Sequence, residues 1–225
     1  MMKHMLVDPL LANGDNLTRD EFIEIWEKLP EVKFAELIGG IVYLSTPRCV
    51  ARGAMNLDIC GWLGYYNAYT PHCHGGANVT SFIGEDCPQP DDYLAIDEEC
   101  GGRSFAREFL EGSPELIAEV AHTDAAIELH QKYDLYERAG IQEYIVALFE
   151  SRELRWHRLA DGKYRLMQPD ADGVCRSRVF PGLWLDSEAF FANDMAKVLA
   201  TLQEGIASDE HQKFVAELAK RKAAE

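Results

Sequence analysis

Apolar residues recur at helical spacing from the first well-patterned stretch of the chain. Phe22, Ile25, Trp26 and Leu29 fall on one stripe after Thr18-Arg19-Asp20-Glu21, a capping box, so the spacing predicts a helix that Pro30 closes. Two short β-like runs, 34–38 and 41–45, flank Gly39-Gly40, a hairpin signal. Met55, Ile59, Trp62, Leu63 and Tyr66 then predict an amphipathic helix over 51–66. The middle of the chain reads as strands at 77–83 and 92–96, separated by a turn at Gly84-Glu85-Asp86 and by Pro88-Gln89-Pro90-Asp91. A loop follows around Gly101-Gly102. Residues 116–120 form a short apolar strand, 124–139 a helix ended by Gly140, and 143–149 another strand. The runs 154–159 and 163–167 flank Ala160-Asp161-Gly162 as a hairpin. A turn at 170–173 precedes a run at 175–180, and Pro181-Gly182 ends the sheet. From 186 onward the pattern is helical, with a last helix from Ser208-Asp209 through 222. This order gives an α/β or α+β fold in three parts: an N-terminal tail over 1–17, a main domain over 18–190 and a C-terminal helical extension over 191–225.

Composition narrows the picture. The 225 residues are 47% hydrophobic and 27% charged, enough apolar material for a core and too much for disorder over most of the chain. No apolar run approaches the ~20 residues of a membrane-spanning helix, and residues 1–16 lack the apolar region of a secretory signal. None of the six cysteines forms a C-x-x-C pair, so reduced, cytoplasmic cysteines are expected. His72-Cys73-His74 before Gly75-Gly76 offers two histidines to one face of an extended segment. No second Cys/His pair at zinc spacing follows, and a polar turn is the better reading. Net charge is −16, from 22 basic and 38 acidic residues. A general electrostatic field of that sign repels nucleic acid, so any such contact needs a local basic surface or a bound cation.

Four residues carry candidate chemistry. Asp91 follows Gln89-Pro90 at the start of a strand, and Glu119 interrupts the apolar strand Leu116-Ile117-Ala118-Glu119-Val120. A carboxylate inside such a strand is unfavourable unless a cation or strong donor meets it. Alternation puts Ile117 and Glu119 on one face and Leu116, Ala118 and Val120 on the other. Glu36 interrupts Phe34-Ala35-Glu36-Leu37-Ile38 in the same manner. On the following helix Ala125, Leu129, Lys132 and Tyr136 lie within about 60° of arc, so Lys132 shares the apolar stripe. Two or three carboxylates with one lysine form a hard-oxygen site suited to Mg²⁺ or Mn²⁺ and to phosphodiester chemistry. Buried salt bridges without chemistry would leave the same pattern.

Four stretches together resemble the Uma-two family of restriction-endonuclease-like proteins, within the PD-(D/E)XK nuclease superfamily. They are residues 35–40 (AELIGG), 88–91 (PQPD), 114–120 (PELIAEV) and 132–144 (KYDLYERAGIQEY); the ending at 180–185 (FPGLWL) is similar too. The resemblance covers roughly residues 18–190. It implies a restriction-endonuclease-like mixed central sheet flanked by helices, with Asp91 and Glu119 as metal-binding acids and Glu36 as the acid from the N-terminal part. The superfamily's lysine would stand at position 121, where this chain has Ala121; the family commonly carries it on the next helix, where Lys132 lies. A histidine usual in the family is missing where Val50 to Arg52 align. An acid that often follows the first hairpin's glycine is replaced by Ile41, and the small polar residues after the Glu-Val pair by Ala121-His122.

For DNA contact the hairpin with Arg152, Arg155, Arg158, Lys163 and Arg165 is the best candidate, with Arg155 and Arg158 as its substrate-binding residues, although a solvated face is the better reading. The apolar edge Phe214, Val215 and Leu218 either packs back on the domain or pairs two copies into a homodimer. The leading expectation is a Mg²⁺- or Mn²⁺-dependent endonuclease hydrolysing DNA phosphodiesters. The alternatives are a catalytically inactive binding or assembly module of the same fold, and a metal-dependent hydrolase of small phosphorylated molecules.

Overall fold

The computed structural model describes residues 11–44, 48–122 and 127–224. Helix α1 (Arg19–Trp26) carries the expected capping box: the Glu21 amide donates to Thr18 Oγ1 and the Thr18 amide donates to the Glu21 carboxylate. Successive turns at Lys28 and Leu29 end it before Pro30 is reached. Strands β1 (Ala35–Ile38) and β2 (Ile41–Leu44) make the antiparallel hairpin over Gly39-Gly40. Residues 14–17 add backbone bonds to β2 and the hairpin turn, while positions 1–10 of the tail lie outside the described residues.

Helix α2 (Val50–Ala68) leads to β3 (Cys73–Ala77), β4 (Ser81–Phe82) and β5 (Asp92–Ile96). Next come β6 (Ser104–Ala106), β7 (Leu110–Gly112) and β8 (Leu116–Ala121). A π-helical turn, Ile127–Gln131, runs into α3 (Lys132–Arg138), and β9 (Glu143–Leu148), β10 (Glu153–Ala160) and β11 (Lys163–Leu166) follow. The chain finishes with β12 (Val174–Arg176), β13 (Trp184–Asp186), α4 (Ser187–Phe191), α5 (Met195–Ile206) and α6 (Asp209–Ala223).

The main sheet has the order β11-β10-β9-β8-β5-β3. Only β8 and β9 are parallel, and α3 lies in the crossover that a parallel pair requires. Alternation sorts β8 as its sequence requires. Leu116, Ala118 and Val120 join one core with Trp62, Tyr66 and the C-terminal helices, whereas Ile117 joins another with Leu135, Tyr136 and Tyr144. On β1, Ala35 and Leu37 pack under α1 in a small third core, which leaves Glu36 facing the opposite way.

Three sequence expectations need correction. The strand expected at 77–83 is confined to Ser81–Phe82, and a separate strand runs earlier, over Cys73–Ala77, where a polar turn was the better reading. Gly75-Gly76 is a strand element here because β5 crowds it: a Cβ on Gly75 would sit 2.8 Å from the Tyr93 carbonyl oxygen, and one on Gly76 would sit 2.9 Å from the Tyr93 ring. The loop around Gly101-Gly102 is present as expected, and after it β6 and β7, which the pattern did not predict, form a small sheet with β4. Strand pairing also continues past Pro181-Gly182, since β13 returns antiparallel onto β12. The helix expected over 124–139 is α-helical only from Lys132, and residues 124–126, with Ala125, lie outside the described ones.

The C-terminal apolar edge packs back on the domain. Leu218 is fully buried, and Phe214 meets Phe180 edge-on. Val198 and Leu202 of α5 enter the same core as Trp62. No helix among the described residues is long and apolar enough to cross a membrane.

Candidate active site

The four singled-out residues meet where β1, β5, β8 and α3 converge. Lys132 opens α3 on the side that faces β8, and its side chain is 3% exposed. Its ammonium lies 2.7 Å from Glu119 Oε1 and 2.8 Å from Glu36 Oε1. Tyr136, one turn further along α3, donates its hydroxyl to Glu119 Oε1 at 3.3 Å. Burial, then the charges of Glu119 and Glu36, push the Tyr136 hydroxyl well above its ordinary range, so it remains a donor. Glu36 also accepts from the Gln89 amide at 2.6 Å, which ties the hairpin to the segment before β5. Asp91 is joined to Glu119 through backbone: its own amide lies 3.4 Å from Glu119 Oε2, and its Oδ2 accepts from the Val120 amide at 2.9 Å.

Two arginines, Arg48 just before α2 and Arg52 in its first turn, complete the site, and sequence reading did not assign them. Arg52 donates through Nη2 to Asp91 Oδ2 and through Nε to the Val120 carbonyl oxygen, both at 2.8 Å. Arg48 Nη1 lies 3.1 Å from Asp91 Oδ1 but makes its hydrogen bond to Asn78 Oδ1. The general rule that a buried acid needs a cation, applied to Asp91 as it was to Glu119, is the signal that points to them. Formal charge at the centre balances: three carboxylates (Glu36, Asp91, Glu119) face three cations (Arg48, Arg52, Lys132).

Whether this donor set fits a divalent ion can be tested on its oxygens. Asp91 is 1% exposed, and its Oδ1 meets the Arg48 charge at 3.1 Å but receives no hydrogen bond, which leaves a hard oxygen in the interior with lone-pair capacity to spare. Among the described residues no group of three or more His, Cys, Asp or Glu side chains is arranged around one metal position. Mg²⁺ and Mn²⁺ do not need one, because such ions keep several waters and are held by one or two carboxylates. Asp91 and Glu119 therefore fit a hard, partly hydrated ion and do not fit a fully protein-ligated one.

The other candidates sit elsewhere. Glu119, Val146 and Arg155 stand in one row across β8, β9 and β10, which puts Arg155 on the Glu119 face about 10 Å away. Its guanidinium pairs with Glu153 at 2.8 Å. Arg158 is exposed and alternates to the other face with Trp156. His122 Nε2 lies 2.8 Å from Glu150 and its ring meets Phe149, at the far end of β8. His72 and His74 flank Asp97, at 3.8 and 3.0 Å.

Asp92, beside Asp91, points through the sheet toward Cys60 and α2. Burial, then the Asp91 charge, push its carboxyl up from 3.8 to about 7. For an acid raised in the folded state, the penalty of ionisation is absent below the ordinary value and complete above the raised one. Asp92→Asn is therefore expected to stabilise the protein at pH 8, by on the order of 2–4 kcal/mol, with the gain vanishing toward pH 4. Urea melts at pH 4, 6 and 8 measure this; a pH-independent gain would contradict it.

The chain's fold is similar to the crystal structure of a "putative nuclease belonging to DUF820" from Anabaena variabilis ATCC 29413, with a TM-score of 0.62 at 15% identity. The match covers 78% of this chain and 98% of that one. No curated protein matches. The model of the Uma2 family, described as "Putative restriction endonuclease", matches residues 19–188, well over half of the sequence, and the chain belongs to that family.

Proposed function

We propose that this protein is a divalent-metal-dependent endonuclease that hydrolyses phosphodiester bonds in DNA, with Mg²⁺ or Mn²⁺ held by Asp91 and Glu119. The observation that carries this reading is the convergence of Glu36, Asp91, Glu119 and Lys132, the last three buried, beside the central strands β5 and β8 of the main sheet. A single structural ion pair needs neither two carboxylates from two strands on one ammonium nor a third, Asp91, tied to the same strand through its backbone. A divalent ion supplies positive charge where a phosphodiester gains negative charge on the way to cleavage. Glu36 and Glu119 fix the Lys132 ammonium, which is then placed to orient the attacking water or to meet a phosphate oxygen. Tyr136 keeps the Glu119 carboxylate turned toward Lys132. Arg155, on the same face, is placed for a neighbouring phosphate of the strand.

A second reading, an inactive binding module of the same fold, is favoured by one observation: arginines already occupy the Asp91 carboxylate. Supercoiled plasmid separates the two. Nicking in Mn²⁺ that stops with EDTA and returns with excess Mn²⁺ is the expected result. An intact plasmid at every metal concentration, with well-folded protein, would select the inactive module.

A further inference from the structure

We propose that Arg52 is a resident cation of the Asp91 carboxylate, which a divalent metal must displace, so that Arg52 sets the metal affinity of the site. The inference rests on the proposed metal-dependent reading and adds its regulation.

Arg52 grips two oxygens with adjacent nitrogens of one guanidinium. Asp91 Oδ2 and the Val120 carbonyl oxygen each lie 2.8 Å from it. A carboxylate oxygen and a backbone carbonyl oxygen converging on one positive centre are the donors a hard divalent ion takes. The guanidinium therefore occupies a cation position. Its carboxylate partner is 1% exposed, whereas the Arg52 side chain is 17% exposed and starts on the rim of the site, so the arginine is the member that can leave.

The placement of Arg52 in its own helix points the same way. Arg52 stands in the first turn of α2, where the helix dipole disfavours a cation. That turn holds no acid, and the Cys49 side chain makes no capping bond. Local helix chemistry gives no reason for an arginine here; the Asp91 contact does. Arg48 adds a second positive charge 3.1 Å from Asp91 Oδ1, so the carboxylate is neutralised on both oxygens.

Calorimetric Mn²⁺ titration of the full chain tests the proposal. Arg52→Gln is expected to bind Mn²⁺ about tenfold tighter than wild type, since ion and guanidinium no longer compete. Asp91→Asn in the Arg52→Gln background should abolish that binding. Equal or weaker binding in Arg52→Gln than in a wild type that binds, or binding that survives Asp91→Asn, would overturn the competition while leaving metal dependence standing. No binding in either protein would remove the metal-dependent reading and this inference together. Should Arg52→Gln fail to fold without metal, Arg52→Lys keeps the charge but cannot bridge both oxygens. It is expected to bind more tightly than wild type, and unchanged affinity there would overturn the proposal equally.

Discussion

Replacing Lys132 with Met is expected to lower the unfolding free energy by about 3–5 kcal/mol, the range for leaving a buried charge without its partner. Met fills nearly the same volume, so the loss is electrostatic. Glu119 is 1% exposed and loses its ammonium, and Glu36 loses the same group. The Tyr136 hydroxyl cannot replace it, because a neutral hydroxyl at 3.3 Å stabilises a carboxylate far less than an ammonium at 2.7 Å. Adding Glu119→Gln to Lys132→Met removes the stranded charge and should restore a large part of the loss. Urea denaturation of the two variants reads both effects. A single variant within about 1 kcal/mol of wild type would mean that Lys132 behaves like an exposed pair, for which that range is usual.

The second large effect is on cleavage. Asp91→Asn keeps shape and burial but removes the charge that both arginines meet and that the proposed divalent ion would need. Plasmid nicking is expected to fall by at least about 10²-fold, the scale of removing one preorganised electrostatic contact from a transition state. Stability should change much less than in Lys132→Met. The partners left behind, Arg48 and Arg52, are 34% and 17% exposed and can turn toward water. Cleavage at the wild-type rate would remove Asp91 from the chemistry.

The centre of this site was legible because its residues break local rules. Glu119 within an apolar strand and Lys132 on an apolar helical stripe are each unfavourable alone, and each is the other's partner at 2.7 Å. Glu36 was readable on the same ground. Arg48 and Arg52 were not, because an arginine near a helix start breaks no pattern. Arg52 meets an acid 39 residues away, a separation no local periodicity reports. Strand β3 was missed for a related reason. Gly75 and Gly76 read as a turn in isolation, and only the close approach of Tyr93 on β5 shows that the strand requires them small. Two further buried acids, Glu115 and Glu143, resemble Glu119 in sequence but do not join the site. Glu115 accepts from the amides of Ile96 and Arg103, and Glu143 from Trp156, Ser177 and the Arg178 amide, so neither needs a metal or a lysine.

Mn²⁺ titration of wild type beside Glu119→Gln tests the central claim most directly, that Asp91 and Glu119 together hold a divalent ion. The variant keeps a hydrogen-bonding side chain between Lys132 and Tyr136, so the fold is retained while one metal acid is lost. Saturable binding in wild type that disappears in Glu119→Gln is the predicted result. Wild-type protein that binds no Mn²⁺, or a variant that binds it equally well, would contradict it.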